Sequence, residues 1–113
     1  MCNQAKLYQI SKRVVLAAQE SLGEKLDKVI LYGSYARGDN DDESDIDIMI
    51  LANISLIDRG REREKIRLLL NYLDLDYDVV ISLNVTDCET FYKFLPVEPF
   101  YKRVLNDGVI LSA

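Results

Sequence analysis

Gly33-Ser34-Tyr35-Ala36-Arg37-Gly38-Asp39-Asn40-Asp41-Asp42-Glu43-Ser44-Asp45-Ile46-Asp47-Ile48-Met49-Ile50 is the stretch around which the chain is organised. It leaves one apolar run, Val29-Ile30-Leu31-Tyr32, and ends inside another, Ile46 to Leu51. Asp45 and Asp47 alternate with isoleucines. A strand sends residues i and i+2 to the same face. The two carboxylates should therefore point together to one side, with Ile46 and Ile48 on the other. Two like charges side by side on a rigid strand repel, and a divalent cation would neutralise them. Gly33-Ser34, at the end of the first run, reads as a turn, with Ser34 capping a short helical turn that Gly38 ends. Asp39 to Ser44 reads as a polar connector.

Working outward, Lys28 to Tyr32 is apolar on both faces and predicts a central strand. Asp45 to Leu51 predicts its antiparallel neighbour. Before them, Leu7, Ile10, Val14, Val15, Ala18 and Leu22 recur at helical spacing and predict a helix over Asn3 to Ser21, stopped by Gly23. After them, Asp58 is placed to cap a helix over Arg59 to Tyr72, with Ile66, Leu69, Leu70 and Leu73 inward and a face of arginines, glutamates and Lys65 in water. The run from Asp76 to Leu83 predicts a third strand. Thr86 or Asp87 caps a short helix through Phe94, Pro99 opens a last helix to about Asn106, and Val109 to Leu111 closes as a strand after Asp107-Gly108. The order predicts an α/β (α+β) domain over residues 1–113, a small mixed or antiparallel sheet with helices packed on it.

Composition narrows the chemistry. The chain has 113 residues, 49% hydrophobic and 29% charged, which suits one globular core. No apolar run reaches the roughly 20 residues that span a bilayer, and the first residues show no secretory pattern. Cys2 and Cys88 share no metal or redox spacing, so a cytoplasmic protein with reduced thiols is expected. The net charge of −5 argues against sequence-independent binding to nucleic acid, which excess Lys and Arg drive. There is no histidine, which removes His-based general bases, Ser-His-Asp triads and His-ligated zinc. Any catalysis falls to carboxylates.

Two motif readings of the central stretch fail. Gly33 to Gly38 has the first spacing of a Walker A loop, but Asp39 and Asn40 stand where Lys and Ser or Thr belong. The acidic run has EF-hand density, but Ser44 and Ile50 occupy the positions that need Gly and Glu. A third reading stands. Gly33 and Ser34 offer backbone N–H groups and a hydroxyl to phosphate oxygens. Asp45 and Asp47 can bridge divalent cations to a triphosphate. A third carboxylate from the next strand would complete the set and accept a proton from an attacking hydroxyl. Asp78 fits that place, and Asp76, with the same parity, is the fallback. Asp39 to Glu43 are explained as a solvated loop and carry no assigned role.

Gly33-Ser34, ten residues, then Asp45-Ile46-Asp47 resembles the G-S-x10-D-x-D pattern of the polymerase-beta-like nucleotidyltransferases. The fuller form is similar to the minimal nucleotidyltransferases (MNT domains), as is the ending Phe100 to Leu111. The resemblance implies that Gly33 and Ser34 hold the triphosphate of ATP, with Arg37 a further candidate contact. It implies that Asp45 and Asp47 bind two magnesium ions and that Asp78 is the third acidic residue. It also implies a role: small MNT proteins act as antitoxins of HEPN-domain ribonuclease toxins, transferring AMP from ATP to a toxin tyrosine. Size points the same way. Once the sheet and helices are built, little chain remains to bind an acceptor, so another protein should bring it, or the chain should oligomerise to form its site. The alternatives are an antitoxin that only masks its partner, and a small-molecule nucleotidyltransferase of the aminoglycoside-modifying kind.

Overall fold

The computed structural model describes residues 3–112. Cys2 lies outside them. A four-stranded sheet in the order β3-β2-β1-β4 carries helices on both faces. The strands are β1 (Leu26–Tyr32), β2 (Ile46–Ala52), β3 (Ile81–Asp87) and β4 (Val109–Ser112). β1 pairs antiparallel with both β2 and β4, whereas β2 and β3 run parallel. The expected antiparallel pairing of the first two strands is thus present, with Tyr32 opposite Asp47.

Helix α1 (Gln4–Leu22) starts on Asn3, whose side chain accepts a hydrogen bond from the Lys6 N–H at 2.8 Å, and ends at Gly23. Its Ile10, Val14, Ala18 and Leu22 join Val29, Leu31, Ile46, Ile48 and Ile50 of the sheet in the larger core. Helix α3 (Arg59–Leu70) adds Ile66 and Leu70 to that face. The other face packs Ile30, Met49 and Leu51 against Phe91 of α5 (Cys88–Phe94) and Val104 of α6 (Pro99–Asp107). Alternation along β2 therefore sorts Ile46, Ile48 and Ile50 to the first core and Asp47, Met49 and Leu51 to the second face.

Three expectations need correction. The third strand does not begin at Asp76. Leu73–Tyr77 forms the short helix α4, and β3 starts at Ile81. The reason is helical burial: Leu73 is fully buried, while Asp74, carried by the same helix, accepts from the Ile81 N–H at 3.1 Å. Asp76 consequently lies on an exposed helix rather than a strand. Second, Ser34 is the first residue of α2 (Ser34–Arg37), not its cap; Gly33 holds that place. Third, the polar face of α3 is not wholly in water, and the helix ends at Leu70. Glu62 is buried, and three arginines one turn apart turn toward β3. Arg63 Nε donates to the Leu83 carbonyl at 2.9 Å, Arg67 Nη1 to the Ile81 carbonyl at 3.3 Å, and Arg59 pairs with buried Asp87. These side chains satisfy the outer edge of an edge strand, which would otherwise present unpaired carbonyls.

Candidate active site

The site forms where β1 ends and β2 begins. Asp45 stands one residue before β2, and the following Ile46 N–H donates to the Val80 carbonyl at 2.9 Å. Asp47 lies within β2, opposite Tyr32 on one side and Ser82 on the other. Gly33 leaves β1 at φ 76°, ψ −156°, a conformation close to glycine-only. A Cβ there would sit 2.3 Å from the Asp47 Oδ2 atom. The turn backbone and the Asp47 carboxylate are thus in direct van der Waals contact, and only glycine permits it. Gly33 O then accepts from the Ala36 and Arg37 N–H groups, and Gly38, at φ 83°, ends α2.

Electrostatics join the residues into one site. Burial, and then the neighbouring Asp45 charge, push the Asp47 carboxyl above the ordinary carboxylate range, and the Arg37 guanidinium opposes the shift. Tyr32 feels the same pair from the adjacent strand. Burial and the Asp47 charge raise its phenol, while a hydrogen bond with Asn84 works the other way. Arg37 is exposed and pairs with Asp39 at 3.2 Å. An all-oxygen pair of carboxylates that repel suits a hard divalent cation such as magnesium. Asp45 and Asp47 fit that role.

Asp78 is placed differently from expectation. It stops α4 in the left-handed region, φ 53°, the one non-glycine residue with positive φ among the described residues. It faces the same cleft as Asp45, an open cavity of about 500 Å³ that Tyr35, Ser44 and Val80 also line. Among the described residues no three acidic side chains come together closely enough to hold one ion. The structure therefore brings Gly33, Arg37, Asp45 and Asp47 together, sets Asp78 across a shared cleft from Asp45, and leaves Asp76 out. Ser34 keeps its place in the turn, where its carbonyl accepts from the Gly38 and Asp39 N–H groups. Tyr32, Asn84 and Arg103 escaped the sequence reading. Only strand register reveals Tyr32, and Arg103 lines a cleft with Gly33 and Arg37 from a helix 66 residues beyond Arg37.

The fold and the site define a nucleotidyltransferase, and comparison with known proteins agrees. A family model described as "Nucleotidyltransferase domain" matches residues 12–111. The chain belongs to this family. "Putative protein adenylyltransferase MJ0141" of Methanocaldococcus jannaschii is 48% identical over 88 residues, covering 78% of this chain and 81% of the relative. "Putative protein adenylyltransferase MJ0604" of the same organism is 36% identical over 100 residues, covering 88% and 92%. Among solved structures, a toxin-antitoxin with AMP-PNP shares the fold at a TM-score of 0.56 and 21% identity, over 91% of this chain and 73% of that one. A "putative nucleotidyltransferase" from Sulfolobus solfataricus does so at 0.55 and 22%, over 95% and 82%.

Proposed function

We propose that this nucleotidyltransferase moves AMP from ATP to a hydroxyl of a partner protein, and that the partner is a HEPN-domain toxin modified on a tyrosine. The observation that carries the reading is the contact between the Gly33 turn and the Asp47 carboxylate. A turn backbone that touches a carboxylate pair supports a phosphate bound at Gly33 with its cation at Asp45 and Asp47. Two relatives bearing the name protein adenylyltransferase support a protein acceptor. A toxin-antitoxin of the same fold supports the toxin partner.

Each residue has a task in that reaction. Gly33 and Ser34 seat the triphosphate at the turn, and Arg37 adds a guanidinium to its oxygens. Asp45 and Asp47 hold magnesium, which would neutralise phosphate charge and orient the α-phosphate. The acceptor oxygen forms a bond to the α-phosphorus. The bond from that phosphorus to the bridging oxygen breaks, and pyrophosphate leaves with its electron pair. Asp78, across the cleft from Asp45, takes the hydroxyl proton at its carboxylate and passes it to water. Such transfer is largely positioning and charge neutralisation, so carboxylates and a glycine turn suffice without histidine.

The test is to incubate the chain with the toxin encoded beside it, ATP and magnesium, and to weigh the toxin by mass spectrometry. A gain in AMP units that Asp45→Asn with Asp47→Asn abolishes is the expected result. Neutralisation of the toxin without any mass gain, unaffected by the double substitution, would show masking instead. Label transfer to a small aminoglycoside-like acceptor without a partner would show the small-molecule activity.

A further inference from the structure

We infer that Arg103, with Arg37, forms the seat of the polyphosphate tail in the cleft between the Gly33 turn and α6. The inference rests on the nucleotidyltransfer reading and adds a wall that the Gly-Ser motif does not contain. The cleft, about 230 Å³, is lined by Tyr32, Gly33 and Arg37 on one side and by Phe100, Arg103 and Asp107 on the other. Phe100, Arg103 and Asp107 recur at helical spacing, so one stripe of α6 faces the cleft.

That stripe is firmly placed. Phe100 meets the Tyr32 ring edge-on, with centroids 5.6 Å apart. Val104 is buried in the core of this face. Gly108, just past α6, lies so close to the Val104 carbonyl and to Ile30 that a Cβ would meet them at 2.1 and 2.6 Å. The helix is thereby held against β1, and the position of Arg103 relative to Gly33 follows from backbone packing.

Arg103 itself makes no hydrogen bond or ion pair among the described residues. Arg103 is exposed and so is solvated while the cleft is empty, whereas Arg37, on the same cleft, already pairs with Asp39; the planar fork of Arg103 is therefore the guanidinium free to take phosphate oxygens two at a time. The cleft opens from Gly33, which touches the Asp47 carboxylate. A nucleoside triphosphate with its α-phosphate at Asp45 and Asp47 would thus extend its β- and γ-phosphates between Arg37 and Arg103. Asp107, one turn beyond Arg103, repels the same anion. It keeps the site from holding pyrophosphate too tightly after the α–β bridge has broken.

Equilibrium binding of ATP and of inorganic pyrophosphate, in magnesium buffer, tests this on the full chain. The variants are Arg103→Ala, Asp107→Asn and, as a charge-matched control, Lys102→Ala. Lys102 is exposed on the same helix and does not line the cleft. Arg103→Ala is expected to weaken both ligands about tenfold, the loss of a charge-assisted pair. Asp107→Asn should tighten pyrophosphate, and Lys102→Ala should match the native chain. Arg103 is exposed and unpaired, so its variant should keep the native melting midpoint. Binding by Arg103→Ala indistinguishable from that of Lys102→Ala overturns the inference and leaves the transfer reading intact. A native chain that binds neither ligand overturns both.

Discussion

At the scale of single residues, Gly33 and Asp47 are one unit. Gly33→Ala meets two obstacles at once: a backbone conformation that L-residues avoid, and a Cβ inside the Asp47 carboxylate. It should cost about 1 to 3 kcal/mol in stability and reduce AMP transfer far more than that loss explains. Urea denaturation and a single-turnover assay together check both halves. Asp47→Asn should behave in the opposite way for stability. The native carboxylate is disfavoured by burial and by Asp45, so a neutral isostere removes that penalty. Its melting midpoint is expected at or above the native value while transfer is lost. A clear drop in the midpoint would show that Asp47 carries structure as well as chemistry. The meeting of Gly33 with Asp47 was legible, because the spacing of Gly33-Ser34 to Asp45-x-Asp47 matches a family pattern, and the structure brings those two residues into contact. Arg103 was not legible, since nothing local distinguishes it from the exposed cations around it.

At the scale of elements, caps decide where the chain turns. Asp87 ends β3 and caps α5, accepting from the Thr90 N–H at 2.9 Å, while Arg59 of α3 binds its other oxygen. Burial disfavours its charge, but the Thr90 contacts and then Arg59 outweigh burial and lower its carboxyl below the ordinary value of 3.8. A depressed pKa means stability that is present above that value and lost as pH falls through the folded one. Asp87→Asn keeps an oxygen for the cap but loses the charge opposite Arg59, and should cost about 1 to 3 kcal/mol near neutrality. The gap to the native chain should narrow below about pH 4, where native Asp87 also takes up its proton. Denaturant midpoints at both pH values measure it. The misplaced third strand belongs to this scale too. Asp76-Tyr77-Asp78 alternates like a strand, yet Leu73 and Tyr77 are one helical turn apart and both pack against the core. Tertiary burial overrode a two-residue period too short to decide.

At the scale of the whole molecule, burial and strand pairing fix the position of Asp47. Asp47 is flanked by fully buried Ile46, Ile48 and Met49, and its strand pairs on both sides. Chelating magnesium with EDTA is therefore expected to abolish transfer while leaving the melting midpoint nearly unchanged in the absence of nucleotide. A large fall in the midpoint would mean that the cation is part of the fold. The acidic surface and the arginines are also reconciled at this scale. Arg59, Arg63 and Arg67 satisfy the β3 edge and its caps, which leaves Arg37 and Arg103 as the cations turned to the cleft beside Gly33. Among the described residues no helix is long and apolar enough to cross a membrane.

By itself the sequence determined the α/β class, the antiparallel meeting of β1 and β2, the stop of α1 at Gly23, the cap of α5, the opening of α6 at Pro99, and the spacing of Gly33-Ser34 to Asp45-x-Asp47. Each is encoded within a few residues by periodicity, cap chemistry or a fixed spacing. Tertiary structure alone decided that β3 lies parallel to β2, that the arginines of α3 seal an edge, and that Asp78 faces Asp45 across a cleft. It alone brought Arg103 opposite Arg37. The reason is the same in every case: these contacts join segments far apart in the chain, and only the burial of two apolar faces on one sheet fixes which segments meet.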